Sequence, residues 1–216
     1  MNVQDFFLEV EQIVANYLAH DTTGHDLQHI RRVVALSKII AQKEQADVEY
    51  CTLIAWLHDI GDYKLNHGQD KSAEHIAHVL QQYPTLTYSL EQIIEDVQKI
   101  GFKGGFNTEE VSLEVKIVRD ADRLDAIGAI GVARAFAYGG SKNRAMYTPN
   151  ENADAPKSAE EYMQRNTSTI QHFYDKLLHL RDGLYTQTAR EIATERHRFL
   201  EDFLEQFYKE WNYSEL

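Results

Sequence analysis

Cysteine and proline are nearly absent from this chain: one Cys, at position 51, and three Pro, at 84, 149 and 156, in 216 residues. A single thiol excludes any internal disulfide, and Cys51, set inside the apolar run 51–57, reads as a small buried hydrophobe of a reducing compartment. The scarcity of proline leaves long stretches free to be helical. Also missing is any run of the roughly 20 apolar residues needed to cross a bilayer. The start Met1-Asn2-Val3-Gln4-Asp5 lacks the basic-then-apolar plan of a signal peptide, so a soluble, cytoplasmic protein with no membrane partner is expected. There is no basic surplus either. With 22 basic against 34 acidic residues and a net charge of −12, the chain is unsuited to hold duplex nucleic acid by its general field. A phosphate ligand has to be drawn by a local patch and a bound cation.

What is present is helical periodicity around enough apolar material, 43% of the chain, to fill one core. Phe6, Phe7, Val10, Ile13, Val14 and Tyr17 recur at i, i+3, i+4 and i+7 and predict a first amphipathic helix. Ile30, Val33, Val34, Leu36, Ile39 and Ile40 predict a second, after capping residues in the turn 21–24. Asp47 is placed to cap a third that runs through Leu53, Ile54 and Leu57 and stops near Gly61. Two more fall at 72–83 and 89–100, followed by a glycine-bearing loop at 101–105 where backbone can approach a ligand. From about Thr108 the apolar pattern runs past Leu124, Ile127 and Ile130, with Gly128 and Gly131 suggesting close packing. An irregular segment at 138–157 follows, of the kind that forms lids or binding loops. Helices at 159–180 and 186–211 close the chain, with Phe173, Phe199, Phe203 and Phe207 expected in the core.

Three short stretches put imidazoles and carboxylates on this apolar background. His-Asp pairs occur three times, at 20–21, 25–26 and 58–59, where random order gives roughly one, so a pair alone says little. His58-Asp59 differs because it ends the apolar run 51–57. Burying such groups without a partner costs several kcal/mol, roughly, which calls for a ligand or a solvent-lined cleft. His25 and His29 lie one helical turn apart, so one can bind metal while the other touches substrate, and Arg32 follows on nearly the same face. Asp120, Asp122 and Asp125 fall within two turns of one helix, where only one or two can face a single ion; Asp122 is our choice. Two nitrogens with two hard oxygens suit a divalent cation that activates water, and Arg123, Lys103, Lys142 and Arg144 suit phosphate contact. Asp62, three residues past Asp59, is placed to act as an acid or base.

The order His29, then His58-Asp59, then Asp122 resembles the H…HD…D signature of the HD-domain superfamily of metal-dependent phosphohydrolases. Gly24 to Val33 (Gly-His-Asp-x-x-His-Ile-x-Arg-Val) and Asp120 to Gly131 (Asp-Ala-Asp-Arg-Leu-Asp-Ala-Ile-Gly-Ala-Ile-Gly) sharpen the likeness. His172 to Leu178 and Glu195-Arg196-His197 are similar to the small bacterial branch. The resemblance implies an all-α fold, an HD-domain helical bundle with additional C-terminal helices. Its plan is an HD core over 1–137, the loop 138–157, and C-terminal helices over 158–216 within one domain. It implies His29, His58, Asp59 and Asp122 as metal ligands, with Asp62 as catalytic acid or base. Substrate contacts then fall to His25, Arg32, Lys103 and Arg123.

The chain departs from two branches of that family. The His-His pair of cyclic-dinucleotide hydrolases is missing between the later motifs, which hold only His67, His75 and His78, so one metal ion is expected. Ile60-Gly61-Asp62 stands where stringent-response hydrolases carry Glu-Asp. Mn²⁺ is favoured, with Mg²⁺, Co²⁺, Ni²⁺ or Fe²⁺ as alternatives. The implied activity is hydrolysis of a nucleotide phosphoanhydride or phosphoester, foremost by a nucleoside triphosphate pyrophosphohydrolase. The alternatives are a monophosphate nucleotidase, a cyclic nucleotide phosphodiesterase and, in another class, a non-enzymatic metal- and nucleotide-binding module. A homodimer is left open.

Overall fold

The computed structural model describes residues 2–19, 26–61, 69–83, 87–101, 109–151 and 167–213. These residues form helices α1 (Val3–Tyr17), α2 (Leu27–Glu44), α3 (Val48–Leu57), α4 (Ser72–Leu80), α5 (Leu90–Ile100), α6 (Leu113–Asp125), α7 (Gly128–Ser141), α8 (Thr169–Asp175) and α9 (Gln187–Trp211). Two 3₁₀ turns, Leu177–His179 and Arg181–Gly183, lie between α8 and α9, and no strand occurs among the described residues.

Most starts are written in the sequence. The side chains of Asn2, Asp26, Asp47, Ser89, Ser112, Ser168 and Thr186 each accept the backbone N–H three residues on. Each such cap contributes about 1 kcal/mol. The cap of α2 is Asp26, with His29 N at 2.8 Å, and not a residue of the turn 21–24, which lies outside the described residues. Asp26 therefore sets the first turn of the helix that presents His29.

α3 is buried all round, from Tyr50 to Leu57, so it lies at the centre of the bundle. α2 and α6 pack against it and against each other, α5 lies on both α3 and α6, and α9 runs along α7 and α6. Ile30, Val33, Leu53, Ile54, Leu57, Ile117, Val118 and Leu124 fill the space between the three central helices and are essentially inaccessible. The ends of α2 and α3 and the last turns of α6 thus meet around one point.

The structure corrects four features of the sequence reading. The apolar pattern from Thr108 past Ile130 is two helices, because Gly128 takes φ +75° and turns the chain after Asp125. A Cβ there would sit 3.1 Å from the Arg196 side chain, so the glycine both turns the corner and admits α9. α7 continues to Ser141, which makes the first residues of the expected irregular segment helical. The helix expected over 159–180 is, in its described part, the short α8, ended by Lys176 at φ −142° and followed by the 3₁₀ turns. Phe173 is fully buried and stacks on Phe203 at 5.5 Å, but Phe199 is 44% exposed.

Candidate metal centre

α3 ends at Leu57, and His58 is its C-cap residue, still helical at φ −64°, ψ −29°. The chain turns at Gly61, where φ is +80° and a Cβ would collide with the Lys71 backbone at 2.6 Å. His58 and Asp59 are thereby set at the end of a buried helix, where adjacent residues can face one point although they project about 100° apart. His29 comes to that point from the first turn of α2 and Asp122 from the last turn of α6.

His29 Nε2 stands 3.4 Å from Asp59 Oδ2 and 3.5 Å from Asp122 Oδ1, and His58 Nε2 stands 3.6 Å from Asp59 Oδ1. Ligand atoms of His29, His58 and Asp59 all lie within 4.8 Å of one another. Donors about 2.1 Å from one ion stand about 3.0 Å apart at right angles and about 4.2 Å when opposed, so the separations of 3.4 to 3.6 Å fit a shared coordination shell.

The ring nitrogens fit the same purpose. His58 Nδ1 lies 2.8 Å from the Ala55 carbonyl, which can only accept, so Nδ1 carries the hydrogen. The lone pair of the neutral ring is then on Nε2, which is buried with no hydrogen-bond partner among the described residues. His29 Nδ1 donates to Asp125 Oδ2 at 2.7 Å, which again leaves Nε2 facing the two carboxylates. Burial opposes charge on His29, yet the hydrogen bonds to Asp125 and Asp59 outweigh it and raise the imidazole above its ordinary pKa. A proton on Nε2 fills the role of the positive charge these carboxylates need. A divalent ion fills it better, and the donor set of two imidazoles and two carboxylates fits one.

The three aspartates of α6 have three tasks. Asp122 faces His29. Asp125 supports the site: it orients His29 and accepts Arg32 Nε at 2.6 Å, Arg32 Nη2 at 3.0 Å and Arg134 Nη1 at 3.0 Å. Burial pushes the Asp125 carboxyl up, but His29 and Arg32 hold it far below the usual carboxylate range. Such a carboxylate behind a ligand histidine fixes ring orientation and basicity. Asp120 points to the other side, where it accepts Tyr185 N at 3.0 Å, Thr186 N at 2.8 Å and Thr186 Oγ1 at 2.8 Å. It anchors the start of α9.

Of the residues expected to meet phosphate, Arg32 is beside the centre, paired with Asp125. Arg123 is not directed to a phosphate: its Nη1 donates to Gly183 O at 2.5 Å and its guanidinium lies 5.2 Å from the centre of the Tyr185 ring. The reason is angular, since Arg123 follows Asp122 by about 100° around α6 and shares the face of Arg119 and Asp120. Lys142 and Arg144 flank the Tyr138 ring at 5.7 and 5.5 Å. His25, Asp62 and Lys103 lie outside the described residues.

Sequence reasoning assigned no role to Asp125, Arg134 or Arg196. Asp125 was visible as one turn after Asp122, and Arg134 as the single charge in the apolar stretch 128–137. Arg196 of α9 donates to Leu124 O at 2.6 Å and lies close enough to Asp125 and Arg32 for their charges to act on it.

The HD domain family matches residues 26–127, a span from the cap of α2 to the break after α6 that includes all four converging side chains. The Bacillus subtilis protein YpgQ is 35% identical over 207 residues, which cover 94% of this chain and 93% of YpgQ. Its crystal structure in complex with ADP superposes with a TM-score of 0.77 at 33% identity over 97% of each chain. A Lactobacillus plantarum protein superposes with a TM-score of 0.86 at 32% identity, over 97% of this chain and 98% of its own. An HD-superfamily hydrolase of Bacillus thuringiensis gives a TM-score of 0.74 at 34% identity over 98% and 99%. No described helix is long and apolar enough to cross a membrane. With His29, His58 and Asp59 gathered at one point, Asp122 beside His29, and these relatives matched over nearly their whole length, the chain belongs to the HD-domain superfamily and is a metal-dependent phosphohydrolase.

Proposed function

We propose that this hydrolase is a nucleoside triphosphate pyrophosphohydrolase that binds one divalent ion, Mn²⁺ foremost, through His29, His58, Asp59 and Asp122. The observation that carries the reading is the convergence of those four side chains beside an arginine pair held on Asp125. YpgQ, similar over nearly the whole chain, has been crystallised with ADP, which supports a nucleotide ligand here as well.

When bound, the ion supplies Lewis acidity toward a phosphoryl oxygen and makes water more acidic at that point. The protein does the rest. Asp125 keeps His29 in the tautomer whose Nε2 faces the centre, and the Ala55 carbonyl does so for His58. Arg32, held on Asp125 by Nε and Nη2, brings its positive charge to the phosphoryl oxygens where negative charge gathers. Asp62, three residues beyond Asp59 in sequence, takes the proton of the attacking water or returns one to the leaving group. His25 and Lys103 flank the two motifs in sequence and complete the phosphate contacts.

The test is a panel of nucleoside mono-, di- and triphosphates and cyclic nucleotides, incubated with the protein and Mn²⁺ and read by product identity. Pyrophosphate and a nucleoside monophosphate from a triphosphate are the expected products. Orthophosphate alone from a monophosphate, or a ring-opened monophosphate from a cyclic nucleotide, overturns the reading.

A further inference from the structure

The motif Glu195-Arg196-His197 falls within α9, well beyond residues 26–127 that the HD domain family matches. Glu195 is exposed and His197 buried, while Arg196 is half-buried against the corner that joins α6 to α7. Two contacts fix it there. A Cβ on Gly128 would sit 3.1 Å from Arg196 Cβ and Cγ, so the stem of the side chain passes against bare backbone at the corner. Its Nη1 then donates to Leu124 O at 2.6 Å, one residue before Asp125.

That carbonyl stands at a demanding place. The last turn of α6 carries Asp122 and Asp125, and the carbonyls of a helix C-terminus hold partial negative charge that disfavours carboxylates beside them. The helix also closes loosely there, since Leu124 O accepts Ile127 N at 3.3 Å as the chain turns toward Gly128. A guanidinium on the same oxygen adds a charge-assisted bond and brings positive charge to the negative end of the helix. From that oxygen the path to the metal centre is continuous. Leu124 is bonded to Asp125, whose Oδ2 accepts His29 Nδ1 at 2.7 Å, and this bond keeps the ring with Nε2 toward Asp59 and Asp122 at 3.4 and 3.5 Å. The start of α9 is anchored elsewhere: Asp120 accepts the N–H groups of Tyr185 and Thr186, and Arg190 donates to Leu184 O at 2.9 Å.

We propose that Arg196 is a positioning residue of the metal centre: by holding Leu124 O it fixes the last turn of α6, keeps Asp125 behind His29, and so makes the affinity for the ion depend on α9. The inference rests on the ligand set proposed above and adds to it a residue from outside the matched domain. Arg196 acts through Asp125 and His29 and touches neither ion nor substrate in this role.

The test measures Mn²⁺ affinity by calorimetry and the Tm of the metal-free protein, on the full chain, for the wild type and for Arg196→Gln, Arg196→Lys and Arg190→Gln. Arg196→Gln weakens Mn²⁺ about tenfold, the lower end of what outer partners of a ligand histidine contribute. Arg196→Lys keeps the charge on a head without the fork and loses about threefold, which decides the matter should the glutamine variant fail to fold. Arg190→Gln removes a contact of the same helix away from the centre; it lowers Tm and leaves Mn²⁺ affinity within about twofold. In an Asp125→Asn background Arg196→Gln adds less than about twofold, because the two residues act along one path. Wild-type affinity in both Arg196 variants, an equal loss in Arg190→Gln, or an undiminished loss on top of Asp125→Asn overturns the proposal. The two readings fail separately. Pyrophosphate release with Mn²⁺ affinity indifferent to Arg196 sinks the positioning role alone, and Arg196-dependent Mn²⁺ affinity without pyrophosphate release sinks the pyrophosphohydrolase alone.

Discussion

Along α6, Arg119, Asp120 and Arg123 project to one side and Asp122 and Asp125 to the other, and the two sides use their charge differently. On the first, each group ends on the protein. Arg119, fully inaccessible, donates to Lys99 O at 2.6 Å and to the Tyr185 hydroxyl at 3.2 Å; Asp120 takes the N–H groups of Tyr185 and Thr186; Arg123 takes Gly183 O. That face is a joint between the central bundle and α9. On the second, Asp122 and Asp59 stand around His29 Nε2, next to a His58 Nε2 with no hydrogen-bond partner among the described residues. Such an arrangement is stable only around positive charge. One helix thus carries a structural contact and a chemical one at a separation of two residues, and in sequence both look like the same acidic cluster.

Substitutions on the two faces should therefore part company. The largest expected effect is that of Asp122→Ala: Mn²⁺-dependent nucleotide hydrolysis falls to background while the helical circular dichroism stays, as rate assays and spectra on one preparation would show. Asp120→Ala should do the reverse. Leaving the Tyr185 and Thr186 donors unsatisfied costs about 3 kcal/mol, which for a chain of this length lowers Tm by about 9 °C in a thermal melt, with Mn²⁺ affinity unchanged. Equal loss of metal binding from both variants would erase the distinction between the faces. Asp125→Asn is the finer probe, since it keeps the shape but not the charge behind His29. A loss of about 10- to 100-fold in Mn²⁺ affinity is expected by calorimetry, the size usual for an outer partner of a ligand histidine.

How far the sequence foretold this depends on the distance over which each signal acts. Local signals were legible: Asp47 and Ser89 cap helices that periodicity had already marked, and the all-α architecture follows from them. The candidate site was legible in part, because His58-Asp59 ends an apolar run abruptly and its order with His29 and Asp122 resembles a known signature. The tasks of Asp120 and Asp125 were not, since their partners lie 65 or 66 and 93 or 96 residues away and become neighbours only when α2, α6 and α9 pack. Arg134 was hidden for another reason: its partner Asp125 is only nine residues away but sits on a separate helix across the turn at Gly128. The break at Gly128 escaped notice because apolar residues keep helical spacing on both sides of it, and only a backbone angle distinguishes one helix from two. Arg123 shows the opposite error, a basic residue beside a carboxylate cluster whose angle around the helix sends it to Gly183.

The central claim is that four side chains from three parts of the chain hold one divalent ion. Crystals grown with Mn²⁺ and measured at the manganese absorption edge test it directly. A single anomalous peak within about 2.3 Å of His29 Nε2, His58 Nε2 and carboxylate oxygens of Asp59 and Asp122 is the expected result. A peak elsewhere, or none at this point under saturating Mn²⁺, would contradict the account.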